Sequence, residues 1–305
     1  MHKSSTLRLA TRRSPLARWQ AEWVARELTA LGQQVDLVLL TSRGDVDQAP
    51  IDGTRGVGFF TKRIQDALLQ GEADIAVHSL KDLPTDPQPA LQLAAIPRRA
   101  PVGDCLMTRS GETLAQLAAG AVVGTGSRRR GAQLLHIRPD LRVQAIRGNV
   151  ETRLAKLQEG KYDAIVLAEA GLTRLEMTEH VSERLPLEVM LPAPGQGALG
   201  IETRADDERA ISILASLDDA ESRAAVTAER SLLRELSGGC LAPIAALGTV
   251  DGNRLSLRAA VLSADGQQRL DHQATGRVDQ AASLGVEVAA VLHEQGADAL
   301  IAAAR

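Results

Sequence analysis

Aromatic side chains are nearly missing from this chain, making up 2% of its 305 residues. Platforms for stacking nucleic-acid bases are therefore scarce, and a formal charge of -3 gives no overall basic excess, so nucleic acid is excluded as the ligand class. Cysteine is as rare. Cys105 and Cys240 stand far apart without a Cys-x-x-Cys pairing, and the six histidines are scattered, which excludes both a disulfide framework and a zinc site. No apolar run approaches the roughly 20 residues of a membrane span. The first residues carry Arg8, Arg12, Arg13 and Arg18 with no apolar core of a signal peptide, so a cytoplasmic chain is expected, neither exported nor membrane-inserted. Dinucleotide and P-loop fingerprints are missing too: after Gly124-Thr125-Gly126 the next glycine is Gly131, too late for the spacing, and no Walker A sequence occurs.

What is present is an ordinary globular composition, 44% apolar and 24% charged, with an uneven placement of charge. Acidic residues fall on amphipathic helix surfaces, among them Glu22, Glu27, Glu229 and Glu235, whereas basic residues gather where strands give way to loops. The first such junction follows the strand 7–11: Arg12-Arg13-Ser14-Pro15, with Ser14 placed to cap a helix and Pro15 at its first position. The second follows a short buried strand at 74–77 and is the densest cluster, His78-Ser79-Leu80-Lys81-Asp82 before Pro84. The third, after a strand near 121–123, reads Gly124-Thr125-Gly126-Ser127-Arg128-Arg129-Arg130 and opens a helix whose free N–H groups favour an anion. Arg147-Gly148-Asn149-Val150-Glu151-Thr152-Arg153 repeats that arrangement, and a strand at 163–168 leads to Arg174. In an open α/β sheet such loops converge at one carboxyl edge, so the junctions together predict an anion-binding cleft, best suited to a small ligand with several carboxylates.

Proline-rich passages at 83–101 and 185–194 bracket the central block, and two chain crossings there predict a hinge between two lobes. One lobe is expected from residues 1–97 with a return at 198–215, the other from 103–191. The rest, 220–305, reads as a small α+β domain: a helix to about Leu236, strands at 245–250, 255–262 and 268–277 joined by Asp-Gly turns, and a helix from 280 to 295. Cys240 stands at the entrance of this domain between Gly238-Gly239 and Leu241-Ala242-Pro243. Two readings of it stand, a reachable thiol serving as an attachment point and a small buried hydrophobe. Cys105 is expected in the core beside a strand.

Five ordered segments resemble signature segments of the porphobilinogen deaminase (hydroxymethylbilane synthase) family: 77–84, 124–130, 147–153, 191–198 (Leu-Pro-Ala-Pro-Gly-Gln-Gly-Ala) and 238–244. The likeness spans nearly the whole chain. It implies an α/β fold of two hinged lobes, like that of periplasmic binding proteins, with a C-terminal α+β domain. It also implies a transferase of tetrapyrrole biosynthesis that condenses four porphobilinogen molecules into hydroxymethylbilane with loss of ammonia. By match to the family, Cys240 carries a dipyrromethane cofactor through a thioether, and no metal is required. Asp82 is the catalytic acid and base, helping the amine depart and accepting the proton on rearomatisation. His78, Ser79, Lys81, Thr125, Ser127, Arg129, Arg130 and Arg147 fall to cofactor binding, and Arg12, Ser14, Arg153 and Arg174 to substrate carboxylates, while Arg128 is left as surface charge.

Phe60 matches an aromatic near the pyrroles, with a plain core role equally open, and Gln196 either lines the cleft or belongs to a structural turn. In the loop before Phe60, Gly53 and Val57 stand where many relatives carry lysines, and Arg55 is expected to replace one lost cation. The resemblance further implies a monomer that hands its product to the next enzyme of the pathway. The rival class is a non-catalytic protein of the same fold that binds an anionic ligand.

Overall fold

A computed structural model describes residues 6–41, 61–86, 88–237 and 242–304. The chain divides into two compact units, one from 1–99 with 198–223 and the other from 100–197 with 224–305.

The first unit is built on a five-stranded sheet in the order β2-β1-β3-β10-β4, with β1 at Leu7–Arg12, β2 at Val35–Leu40, β3 at Ile75–Ser79, β4 at Leu91–Ala95 and β10 at Leu199–Arg204. β1 runs parallel to β2 and β3, and β10 enters antiparallel between β3 and β4. The central strands are apolar on both faces because both faces are covered. Leu7, Leu9, Ile75 and Val77 pack under the helices Pro15–Ala30 and Glu208–Leu214, while Ala10, Leu40 and Ala76 pack under Lys62–Leu69. As expected, Ser14 caps the first helix, its Oγ accepting from the Ala17 N–H at 3.4 Å, with Pro15 in the first position.

The second unit holds another five-stranded sheet, β7-β6-β8-β5-β9, with β5 at Asp104–Thr108, β6 at Val122–Gly124, β7 at Arg142–Gln144, β8 at Ala164–Ala168 and β9 at Glu183–Leu185. β6, β7 and β8 are parallel, and β5 runs antiparallel to β8 and β9. Cys105 lies within β5, wholly buried with Met107 and Ile165, rather than beside a strand. The unit also contains an antiparallel sheet of β11 (Ile244–Asp251), β12 (Arg254–Leu262) and β13 (Arg269–Arg277), close to the expected strands. One face of this sheet packs on the helices Ala281–Glu294 and Ala297–Ala303 and on Ala228 and Leu232 of Ala220–Glu235; on the other, Ala245, Ala260 and Leu262 meet Ala132 of the helix Arg128–Ile137. The β12–β13 turn also reaches that helix, where the His136 Nδ1–H donates to the Gly266 carbonyl at 2.8 Å. Among the described residues no helix is long and apolar enough to cross a membrane.

Candidate active site

In the first unit β1 and β3 are parallel neighbours, so Arg12 and the segment after Ser79 leave the sheet at the same edge. Arg12 is half-buried. The path to Asp82 is tightly held. His78 is buried on β3, its Nε2 3.0 Å from Glu202 Oε2 on β10, and Gln65 Nε2 donates to both oxygens of Glu202 at 3.1 Å. Ser79 exchanges hydrogen bonds with the Gln20 amide at 2.9 and 3.3 Å. A single 3-10 turn, Leu80–Asp82, follows, anchored by buried Leu80, whose N–H donates to Ala198 O at 3.0 Å. Lys81 is half-buried and Asp82 exposed. A fixed strand end thus presents an exposed carboxylate that a ligand can reach. Sequence reasoning found His78, Ser79, Lys81 and Asp82 but not Gln20, Gln65 and Glu202, which hold them.

In the second unit the predicted junctions also share an edge. The carboxyl ends of β6, β7 and β8 lead to Thr125–Ser127, to Arg147–Asn149 and to the helix Glu169–Arg174. Thr125 is buried, its N–H donating to Gln144 O at 2.9 Å and its Oγ1 accepting from the Ser127 N–H at 3.2 Å. Ser127 caps the helix Arg128–Ile137, its Oγ accepting from the Arg130 N–H. Gly148, with φ +115, makes the turn before the next helix, which Asn149 caps. That turn is fastened from behind: Arg153 Nε donates to Gly148 O at 2.8 Å and Lys156 Nζ to Arg147 O at 2.9 Å.

Arg129 and Arg130 are not left open to solvent. They are 3% and 6% exposed and both pair with Asp104, the first residue of antiparallel β5. Arg129 Nη2 reaches Asp104 Oδ2 at 2.7 Å, and Arg130 reaches Oδ1 through Nε at 3.0 Å and Nη2 at 2.7 Å. Their remaining contacts include Leu191 O for Arg129 Nη1 and Val166 O for Arg130 Nη1, while Arg129 Nε is buried with no hydrogen-bond partner among the described residues. Burial pushes the Arg129 pKa down against the pull of Asp104. Burial likewise lowers Arg174 to about 10, and its Nη2 donates to Gly197 O at 2.7 Å. Gln196 is fully buried and donates to Asp104 Oδ1 at 3.0 Å and to Val102 O at 2.7 Å, so it belongs to the structural turn and to the arginine cluster at once.

Two residues escaped sequence reasoning here. A lone acid opening the buried run Asp104–Thr108 was a legible signal that this carboxylate has a partner. Glu229 was expected on a helix surface, yet it is wholly buried, accepting from the Gly195 N–H at 2.6 Å and the Gly248 N–H at 2.7 Å. The reason is a helix enclosed on both sides: a Cβ on Gly248 would lie 2.7 Å from Ala225 O, and one on Gly285 would collide with Ala228 O. Arg55, Phe60, Gly53, Val57 and Cys240 lie outside the described residues. Of the cations beyond that loop, Arg63 is committed to Glu72 at 2.7 Å.

Sequence comparison agrees with the chemistry. The family described as "Porphobilinogen deaminase, dipyromethane cofactor binding domain" matches residues 7–212, and "Porphobilinogen deaminase, C-terminal domain" matches 223–294. A porphobilinogen deaminase of Acidothermus cellulolyticus is 50% identical over 98% of this chain and 92% of its own length. One of Syntrophotalea carbinolica is 47% identical over 98% and 96%. Among solved structures, a nutrient binding protein from Burkholderia cenocepacia bound to methionine aligns with 68% of this chain and 90% of its own, at 13% identity and a TM-score of 0.44. With both domains matched in order and half the residues shared with a nearly full-length relative, the chain belongs to the porphobilinogen deaminase family.

Proposed function

We propose that this chain is a transferase of tetrapyrrole biosynthesis, condensing four porphobilinogen molecules head to tail into hydroxymethylbilane, with release of ammonia, on a covalently bound dipyrromethane primer. The observation that carries the reading is the buried edge of the second unit, where two guanidiniums face one carboxylate and Arg129 Nε has no acceptor among the described residues. A buried excess of positive charge with an unused donor is costly unless an anion completes it. A primer bearing acetate and propionate arms fits that demand; its binding is assigned to Thr125, Ser127, Arg129, Arg130, Arg147, Lys81, His78 and Ser79, with Cys240 as its thioether anchor. When bound it supplies a nucleophilic pyrrole carbon for chain growth.

The protein's own part is positioning and proton transfer. Arg12, Ser14, Arg153, Arg174, Arg55 and Phe60 take the substrate, the cations through its carboxylates, while buried Gln196 acts from behind through Asp104. Since the Oγ atoms of Ser14 and Ser127 already accept the N–H bonds of their helices, their hydroxyl protons are what they offer a carboxylate. Asp82 gives a proton to the departing amine and takes one from the joined ring. We assign residues 1–97 with 198–215 to the lobe of Asp82, 103–191 to the arginine-rich lobe and 220–305 to the domain of the anchoring cysteine. The same reading makes the protein a cytoplasmic monomer that passes its product to the next enzyme of the pathway.

Intact mass of the purified chain and of a Cys240→Ser variant, before and after porphobilinogen, tests this. The expected result is a covalent excess of two pyrrole units on the parent alone, with a stepwise ladder on adding substrate. A parent that stays at its bare mass in porphobilinogen would make the chain a non-catalytic binder.

A further inference from the structure

Neighbouring residues on a helix point about 100° apart, so Arg129 and Arg130 would diverge if left to their own rotamers. They converge because both reach the one buried carboxylate of Asp104. One oxygen takes Arg129 Nη2; the other takes Nε and Nη2 of Arg130 and the amide of Gln196. Backbone carbonyls complete the frame, Leu191 O for Arg129 and Val166 O for Arg130. Both guanidinium planes are thereby fixed, two positive charges on one carboxylate, and Arg129 Nε shares its proton with no acceptor among the described residues.

We propose that Asp104 is a positioning residue for carboxylate recognition, acting through Arg129 and Arg130 to aim their spare donors at an anionic arm of porphobilinogen or of the chain grown from it. This rests on the function proposed above. Simple electrostatics and positioning predict opposite signs. If Asp104 only dampens the arginines' field, neutralising it exposes more positive charge, and the carboxylate ligand binds more tightly. If it positions them, an Asn amide sets N–H donors against guanidinium N–H donors, one arginine swings away, and binding weakens.

The test uses the full-length apo chain, produced without a porphobilinogen supply, for the parent, Asp104→Asn and Asp104→Glu. Each is titrated with porphobilinogen, and intact mass gives the concentration at half covalent loading, with kcat and KM measured on the loaded protein. The expected outcome for Asp104→Asn is a half-loading concentration and a KM about tenfold or more above the parent's. A lost fold alone would lower the active fraction without moving either concentration. A half-loading concentration equal to or below the parent's overturns the proposal. Should Asp104→Asn not fold, Asp104→Glu decides: it keeps the charge and displaces the oxygens, so a raised half-loading concentration supports positioning and an unchanged one overturns it. A parent that does not load at all sinks the function itself, whereas a loading parent matched by its variants sinks only the role of Asp104.

Discussion

Replacing Glu229 by Gln changes one atom in a wholly buried side chain and weakens its two bonds to backbone amides. Glu229 joins two segments remote in sequence, the turn at Gly195 and strand β11 at Gly248, through N–H bonds of 2.6 and 2.7 Å. A glutamine oxygen can serve one of these amides. Its NH2 then faces the other, so a buried N–H loses its acceptor, at about 1–3 kcal/mol. The surviving bond loses its charge assistance, about half its strength. Removing a buried charge returns part of this, which leaves an expected destabilisation of about 2 kcal/mol. Opening fluctuations at these amides should then be roughly 30-fold more populated. Hydrogen exchange read by mass spectrometry on peptides spanning 195 and 248 would show the acceleration, while peptides of the sheet β2-β1-β3-β10-β4 keep the parent's rates. Glu229→Ala, which leaves both amides unpaired, should fall further in urea unfolding followed by circular dichroism. A Glu229→Gln protein as stable as the parent, with unchanged exchange at both amides, would show that the desolvation of the carboxylate cancels its bonds and would refute the reasoning.

Other perturbations bear on separate parts of the molecule. Asp82→Asn should lower turnover by about 10²- to 10⁴-fold with an unchanged melting temperature, since the side chain is exposed and its loss touches proton transfer rather than packing. Gly248→Ala should cost about 2–3 kcal/mol in urea unfolding, because the added carbon lies 2.7 Å from Ala225 O and 2.9 Å from its Cα. Burial pushes the Asp74 carboxyl up, but hydrogen bonds from Arg8 and the charges of Arg8 and Arg204 outweigh it and hold the pKa below that of an ordinary aspartate. Its contribution is therefore complete above about pH 4 and lost as the pH falls through that depressed value, so parent and Asp74→Asn should differ in stability at pH 7 and converge in acid. Burial, with Glu169 nearby, raises the Cys105 thiol to about 12, so it should resist alkylation at pH 8 until the protein is unfolded, as peptide mass mapping would show.

The sequence was most legible where local chemistry decides structure. Ser14-Pro15 marked a helix start, Asp251-Gly252 and Asp265-Gly266 marked the hairpins of the C-terminal sheet, and glycines with arginines marked the junctions after β6 and β7. Strands β2, β4, β5, β9 and β10 were not foreseen, and β5 and β10 show why. Asp104–Thr108 is a five-residue strand buried along its whole length, so it shows no alternation, and Leu199–Arg204 takes its place between β3 and β4 through pairings more than a hundred residues apart. The same limit applied to the site. Residue type located Arg129 and Arg130, and the lone acid at 104 signalled a partner, but that these are each other's partners depends on pairing across 25 residues, which no local pattern encodes.

The segment 191–198 shows how a motif can serve chemistry without touching it. Gly195 and Gly197 have φ of 74 and 83, and a Cβ at Gly197 would stand 2.5 Å from Ala100 O, so glycine is required at 197 by both backbone and space. Between them three consecutive residues reach three different groups: the Gly195 N–H goes to Glu229, the Gln196 amide to Asp104, and the Gly197 carbonyl accepts from Arg174. Only Gln196 offers a side chain, and it is fully buried. The motif therefore acts by setting where Asp104 and Arg174 stand, and through Asp104 where Arg129 and Arg130 point. A substitution at Gly197 should weaken carboxylate binding along with stability, because the turn and the arginine cluster share the same hydrogen bonds.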